Sequence, residues 1–574
     1  MRVICDIETD DLQATVIHVV VCINVDTEEV WHTTDPEEFR EYAKGITEFI
    51  GHNFLSFDAR WIGKLWDIHI PISKITDTLI MSQMHEPDRK GGHSLKMWGE
   101  RFKFPKGDFT DFAKYSEEML EYCIQDCRVT LRMYRYLLNK MTPWSLSSIR
   151  LEHQVRAIID QQQINGFPVH EDQVSILLAK FQDIQHNLTE EVQQEFYPLC
   201  KQGNTMALKT TKSGEFNRQQ LQWYKDDTSI VSGDFTKVTF EEFNLASRKQ
   251  IGNHLQHHGW KPKEFTETGQ AIVDEGTLDG VDIPQAQLIC RYLKVGKLIG
   301  YCAAWLKALA ESGDGRIHGG VRTLGTISNR MSHNNPNIGQ VPSVSIEYGK
   351  ECRECFHSGD DSDYVLFGTD ASGLELRCLA HYMNDPAYTK EILTGDVHTA
   401  NMLAAGLTER DQAKTFIYAW LYGGGAAKIG SIVGGSLKVG QKLIKDFLTA
   451  TPALKKLKEA VAKAAKQPYI KGLDGRLLLV RAEYAALNQL LQGAGAIICK
   501  QWLVQIMLMV MRQKLRVKLV ASIHDEYQFI VHKDDVQAMG IGVKEAIREV
   551  ERILKVNCPL DCDWAVGKSW AETH

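Results

Sequence analysis

Two sets of acids in this sequence have the spacing of metal chemistry. In the first, Asp6 and Glu8 stand two apart in the strand-like run VICDIETD, so both side chains share one face. HNFLSFDA places Asp58 at the head of a helix, with Asn53 before it. YCIQDCRVT places Tyr122 and Asp126 four apart on one helix face. Four acids that converge repel one another and need a counter-charge. Two Mg²⁺ ions about 3.5–4 Å apart supply it, activating a water and stabilising the leaving oxygen of a phosphodiester. Asp6, Glu8, Asp58 and Asp126 are the expected ligands, and Tyr122 the residue that orients the water.

In the second set, DYVLFGTDASGLELRCLAHYM puts Asp370 where a strand gives way to a helix, with Glu375 on that helix. In KLVASIHDEYQFIV, alternation on both sides of His524–Asp525 predicts a hairpin whose turn carries the acid, followed by Glu526. If the two strands are neighbours, Asp370 and Asp525 share two Mg²⁺ ions, the arrangement for in-line phosphoryl transfer. Between them, in LTERDQAKTFIYAWLYGGG, Arg410, Lys414, Tyr418 and Tyr422 recur every fourth residue. On a 3.6-residue helix they form one slanted stripe, cationic at one end and aromatic at the other. A nucleoside triphosphate has the same polarity. Phe416, Ile417, Trp420 and Leu421 fill the opposite side, and the glycines after Tyr422 offer a hinge.

The elements that carry these residues can be outlined. Residues 1–145 read as an α/β unit: strands over 3–10, 16–25 and around Val30–Trp31, then helices at 36–49, 57–66, 76–85 and 116–140, with Gly-rich punctuation at 89–103. Apolar stripes over 146–196, broken by Gly166-Phe167-Pro168, predict an antiparallel helix pair. Residues 200–242 are polar and read as an inserted loop or small hairpin. Helices follow at 245–258 and 284–311, a turn-rich stretch at 326–342, a strand at 363–370, a helix-rich block to about 465 and mixed α/β to the end.

At 574 residues the chain predicts several domains, and 44% hydrophobic and 24% charged residues fit globular cores. No run is read as a membrane span, and the strand at the N-terminus argues against a signal peptide. Thirteen scattered cysteines predict reduced thiols in a cytosol-like compartment, those of CRECFH (352–357) packing in a core. The net charge of −7 leaves room for a local basic cleft.

TDASGLELR, RDQAKTFIYAWLYGGG and IHDEYQF resemble, in order, the three polymerase motifs of the family A DNA polymerases. RCLAHYM, AKTFIY, IKGLDGR and LLQGAGAIICK look like that family's bacteriophage replicative branch, whose best-known member uses thioredoxin as processivity factor. The first acid set resembles the 3′→5′ proofreading exonucleases with four acids and a tyrosine.

The resemblance implies an α/β and α+β multidomain fold: a ribonuclease-H-like exonuclease domain at 1–145, then a right-hand polymerase. The thumb would span 146–315, with the short insertion at about 200–242. The palm would take 316–395 and 461–574, and the fingers 396–460. Asp370 and Asp525 would hold the metals, helped by the Ala371 carbonyl, with Mg²⁺ pairs at both sites and Mn²⁺ as a substitute. Arg410, Lys414 and His398 would hold the triphosphate, and Lys414 would protonate the leaving pyrophosphate. Tyr418 would pack under the sugar, as in members that accept dideoxynucleotides readily. Glu375 would bond Tyr418 and close the space of a 2′-hydroxyl. Tyr422 would stack at the template position, and His524 and Glu526 would lie near the primer end. Arg330, Asn488 and Gln492 would sense minor-groove acceptors common to correct pairs.

The implied activity is template-directed addition of dNTPs to a primer, with proofreading, in phage genome replication in the bacterial cytoplasm. The implied partners are primer–template DNA, dNTPs, a processivity factor such as thioredoxin at 200–242, and replicative helicase and primase, with no membrane. The alternatives are a repair-type polymerase, or a nuclease with a DNA-binding polymerase remnant.

Two departures stand out. TISNRMSHNNPN has Asn329 where the family usually has a glycine before the arginine. The insertion is shorter than the thioredoxin-binding loop of the branch and only mildly basic, at Lys201, Lys209, Lys212 and Arg218, before Asp226 and Asp227. It reads either as a reduced clamp for a partner or as a self-sufficient DNA-contacting hairpin.

Overall fold

β-branched and aliphatic runs at Val3–Ile7 and Val19–Ile23 are buried on both faces, as central strands of a covered sheet require. The computed structural model describes residues 1–196, 198–207, 209–215, 235–421 and 423–574. The chain divides into two units, Met1–His170 with Ala308–His574, and Glu171–Lys307. The expected boundary at 145/146 falls inside the first unit.

The N-terminal sheet has the order β3-β2-β1-β4-β5, from β1 (Arg2–Thr9), β2 (Ile17–Asn24), β3 (Val30–Thr33), β4 (Glu48–Gly51) and β5 (Ile75–Asp77). β1 pairs antiparallel with β2 and parallel with β4. The helix expected over 36–49 stops at Lys44, and EFIG is instead a buried strand between β1 and β5. The helix expected at 76–85 begins at Thr78, because Ile75–Asp77 forms β5 and Asp77 caps the helix. Within the Gly-rich stretch, Leu95–Phe102 is helical, capped by Ser94. Helix α1 (Asp58–Trp66) and helix α2 (Glu117–Lys140) complete the frame. α2 buries a stripe from Met119 to Leu137 that includes Cys123, Asp126 and Cys127.

Helix α3 (Leu146–Asn165) follows and ends at Gly166, whose φ of +61° suits glycine. The second sheet has the order β7-β8-β6-β9, all antiparallel, from β6 (Tyr364–Ala371), β7 (Val517–Ile523), β8 (Glu526–His532) and β9 (Cys562–Gly567). β7 and β8 form the expected hairpin, with His524 and Asp525 in its turn. Gly368 is required where β6 passes the C-terminal segment, since a Cβ there would lie 2.2 Å from the Thr573 carbonyl oxygen. Helices α4 (Leu374–Met383), α5 (Val397–Ala405), α6 (Arg410–Leu421) and α7 (Ala486–Gln513) share a core around Phe367, Phe416, Trp502 and Phe529.

The expectation that no run could span a membrane needs correction. The helical stretch Glu483–Gln513 is long and apolar enough by length and composition, with an 18-residue window whose mean hydropathy is 1.6. It is apolar because 67% of that window is buried inside the protein.

In the second unit, Glu171–Glu195 and Pro284–Ser312 are the longest helices, the latter running past the unit boundary. Val192, Phe196, Ile251, Leu255, Trp260 and Ile289 form its core. In the region of the insertion, strands Leu199–Met206 and Phe235–Glu241 pair antiparallel, with Lys201 ion-paired to Glu241. Arg218, Asp226 and Asp227 lie outside the described residues, as does Tyr422.

Candidate active sites

The first acid set converges. Carboxylate oxygens of Asp6, Glu8 and Asp126 all lie within 4.8 Å of one another. Asp6 and Glu8 come from alternate positions on β1, and Asp126 from the α2 face that packs on it. Asp58, at the start of α1, is 2% exposed and accepts the Ile7 backbone N–H at 2.9 Å through Oδ1. It therefore stands beside the triad, tied to β1. Burial, then the charge of Asp126, pushes the Asp6 carboxyl up to about 7. Burial, then Asp6, pushes Glu8 up to about 9. Burial and Asp6 also push Asp58 well up.

These acids fit divalent metal. Asp126 Oδ1 is buried with no hydrogen-bond partner among the described residues, and acids raised by burial and by one another are ones that a cation among them would stabilise. Tyr122 sits one helical turn before Asp126, packed against Phe109 and Phe112 with ring centroids 5.6 and 6.0 Å away. Lys106 was not anticipated by the sequence. Its ammonium bonds Asp126 Oδ2 and lies 4.7 Å from the Tyr122 ring centroid. It sits between elements, and no periodicity marks such a residue.

The second set also converges. Asp370 near the end of β6 and Asp525 at the β7–β8 turn line one cavity of about 480 Å³. Ala371, Glu375, Tyr418, Arg330, His524, Cys499 and Lys500 line it too. The Ala371 N–H donates to the Asp525 carbonyl at 3.2 Å, fixing the two acid-bearing segments together. Burial, then Asp525, pushes Asp370 up to about 7, and burial raises Asp525. Two buried acids that raise one another in this way are stabilised as carboxylates by cations placed beside them. His524 is exposed, with a φ of +56° at the tight turn.

Glu526 has a different place from the primer contact expected of it. Directly across from Asp370 in the β6–β8 register, it is 4% exposed. Its carboxylate accepts from Trp570 Nε1 and Gln528 Nε2, both at 2.6 Å, and pairs with His574 Nδ1 at 2.7 Å. Burial works to raise this carboxyl, and those partners hold it below its usual range. The C-terminal anchor could not be read from the sequence, because Trp570 and His574 lie more than forty residues from Glu526.

α6 presents the expected stripe. Ala413, Phe416, Ile417, Trp420 and Leu421 are buried, while Lys414 is exposed and Tyr418 half-buried. Arg410 is held by Asp396, Nε to Oδ2 at 2.6 Å and Nη2 to Oδ1 at 3.2 Å. Asp396 also caps α5, accepting the N–H groups of His398 and Thr399. The His398 ring lies 6.0 Å from that of Tyr418, and burial with Arg410 and Lys414 nearby lowers its pKa. Glu375 Oε1 accepts from Arg330 Nη2 at 3.1 Å. Burial, then the charge of Glu375, raises the Tyr418 phenol.

Under this site lies a buried ionic network. Arg476 bonds Glu152, Asp474 and Asn329, and Lys500 bonds both oxygens of Glu152, at 2.8 and 2.7 Å. Asn329 has a φ of +60°, a conformation that asparagine tolerates, and its Oδ1 accepts from Arg476 Nη1 at 3.0 Å. That accounts for an asparagine where the family pattern has glycine. Gln492, one turn beyond Asn488 on α7, accepts from Ser328 at 3.3 Å, which places it beside the same turn.

The family model described as DNA polymerase family A matches residues 215–572. The chain is similar to the DNA-directed DNA polymerases of Enterobacteria phage T3 and Escherichia phage T7, 32% identical to each over the whole of both chains. It is also similar to DNA polymerase I of Bacillus subtilis, 26% identical over 62% of this chain and 42% of that one. Among solved structures, the POL domain of Pol1 from M. smegmatis, in complex with DNA primer-template and dNTP, has a similar fold. Its TM-score is 0.77 at 18% identity, over 99% of this chain and 95% of that one.

Proposed function

We infer that this chain, which belongs to DNA polymerase family A, is a DNA-directed DNA polymerase that extends a primer from dNTPs in phage genome replication. One observation carries the site-level reading: Asp370 and Asp525, on neighbouring segments of one sheet, share a cavity with Tyr418 of α6. Asp370 and Asp525, with the Ala371 carbonyl, would hold Mg²⁺, which when bound would make the primer hydroxyl more acidic and take up charge on the phosphates. The primer 3′ oxygen forms a bond to the α-phosphorus, the bond to the β-phosphate oxygen breaks, and the 3′ proton leaves to solvent. Lys414 and His398 bind the triphosphate, joined by Arg410 once it leaves Asp396, and Lys414 gives a proton to the pyrophosphate. Tyr418 supports the sugar, Glu375 fills the space beside it, and Tyr422 meets the template. His524 lies at the primer end, while Arg330, Asn488 and Gln492 meet the minor groove. Glu526 serves this site by holding the β6–β8 edge.

The first acid set gives a second activity, 3′→5′ exonuclease proofreading. Asp6, Glu8, Asp126 and Asp58 bind Mg²⁺ and Tyr122 orients the attacking water. The exonuclease occupies 1–145, the thumb 146–315, the palm 316–395 and 461–574, and the fingers 396–460. Primer–template DNA and dNTPs are the ligands, and the insertion at 200–242 serves either as a reduced clamp for a processivity factor such as thioredoxin or as a self-sufficient DNA-contacting hairpin. The protein works with helicase and primase in the cytoplasm of a bacterial host. Primer extension with Mg²⁺ and dNTPs tests the first activity, and shortening of the primer without dNTPs tests the second.

A further inference from the structure

Lys106 is the one cation that bonds an acid of the first cluster among the described residues. The chain is shaped to deliver it. Gly99 permits a close pass, since a Cβ there would lie 2.9 Å from the Phe104 carbonyl oxygen and 3.0 Å from the Lys106 backbone nitrogen. Gln125 Nε2, on α2, donates to the Pro105 carbonyl at 2.8 Å, and the Arg132 guanidinium lies 4.8 Å from the Phe104 ring centroid. Farther on, the Phe112 carbonyl bonds the His18 ring at 3.0 Å. The segment is thus a strap tied to α2 and β2, with Lys106 reaching inward. Its side chain is 28% exposed, whereas that of Asp126 is 4% exposed, so the lysine joins a buried carboxylate to the solvent side of the cluster.

Lys106 holds Asp126 Oδ2, and Oδ1 of the same carboxylate is unpartnered among the described residues. A divalent ion at Asp126 sets two cations on one carboxylate, and their repulsion favours release of the more weakly held one. A lysine has a flexible four-carbon stem and three donors, so it can turn to another anion nearby.

We propose that Lys106 is a movable counter-ion of this site. It holds Asp126 while the acids carry no metal, and passes to the phosphate at the 3′ end of the substrate once they do. The proposal rests on the exonuclease reading. In that hydrolysis a water oxygen bonds to phosphorus and the bond to the 3′ oxygen breaks. One water proton goes to the 3′ oxygen, and the other remains with the released phosphate. Lys106 keeps its protons and supplies only charge, offsetting the repulsion between clustered acids and a phosphodiester.

The test uses the full chain and two measurements. In a chain carrying Asp370→Asn and Asp525→Asn, which removes the polymerase ligands, electron paramagnetic resonance of free Mn²⁺ reads binding at the first cluster. Lys106→Met is expected to tighten Mn²⁺ binding by about tenfold, the equivalent of one pKa unit of charge interaction. In the otherwise unaltered chain, Lys106→Met is expected to lower kcat/KM for shortening a 5′-labelled single strand by at least about tenfold. Lys106→Arg should keep both values near those of the parent. Opposite signs are the signature, because a lysine that only braced the strap would weaken both when removed. Lys106→Gln repeats the test if Lys106→Met loses primer extension through misfolding. Manganese binding that is unchanged or weaker overturns the proposal, and so does unchanged shortening. If the parent binds Mn²⁺ through Asp6 yet leaves the strand intact, the exonuclease reading and the phosphate half fail together. The manganese arm then still decides whether Lys106 is the counter-ion.

Discussion

Inside the protein, Arg476 Nη1 donates to Asn329 Oδ1 at 3.0 Å, one residue before the arginine that lines the cavity of Asp370 and Asp525. The same guanidinium bonds Glu152 on α3, and Glu152 bonds Lys500 on α7. The turn that presents Arg330 is therefore fixed from below by charges that have no solvent to fall back on. Asn329→Gly keeps the backbone conformation and removes the amide. It should cost about 1.5–3 kcal/mol, the range for a hydrogen bond to a charged group. Glu152→Gln strips the carboxylate from between two buried cations and should cost about 3–5 kcal/mol. Denaturant unfolding at neutral pH measures both.

The pair Arg330–Glu375 joins two residues with different proposed tasks, minor-groove sensing and sugar selection. Glu375→Ala opens the space beside Tyr418 and releases Arg330. The preference for dNTPs over ribonucleotides, as a ratio of kcat/KM, should fall by about tenfold or more. Single-nucleotide incorporation kinetics with both sugars checks this, and an unchanged ratio would remove Glu375 from sugar selection.

The raised acids predict how metal-free protein responds to pH. Asp6 and Asp370, each pushed up to about 7, keep a proton in the folded state that they lose near pH 4 when unfolded. The unfolded state binds fewer protons between those limits, so their contribution to stability falls as pH rises from about 4 to about 7 and is flat outside that window. Thermal unfolding in EDTA should show it, and Asp6→Asn should flatten part of the slope. Mg²⁺ should reverse the loss above pH 7 by neutralising the acids.

Much of the placement of these residues was legible because it rides on periodicity. Two-residue alternation fixed the shared face of Asp6 and Glu8, and the strand–turn–strand pattern around Asp525 matches β7 and β8. A four-residue spacing placed Lys414 and Tyr418 on α6 opposite its buried face. Short elements were misread: EFIG at 48–51 and ITD at 75–77 are three or four residues long, too short to show a period. Contacts across long sequence separations stayed hidden. Lys106 on Asp126, His574 on Glu526 and Arg476 on Asn329 each join residues from separate segments that only the fold brings together.

Residues 200–242 yield a prediction about processivity. If the insertion recruits thioredoxin, adding it should lengthen the products of a primed single-stranded template, and a pull-down should retain it. Products of equal length with and without thioredoxin would leave the self-sufficient hairpin as the account of this segment.

The most direct test of two separate metal sites is one gel. A 5′-labelled primer–template is incubated with Mg²⁺, with and without dNTPs, using the parent chain, Asp525→Ala and Asp6→Ala. The parent should extend the primer with dNTPs and shorten it without them. Asp525→Ala should lose extension alone, and Asp6→Ala shortening alone. Loss of both activities from either single substitution would contradict the account.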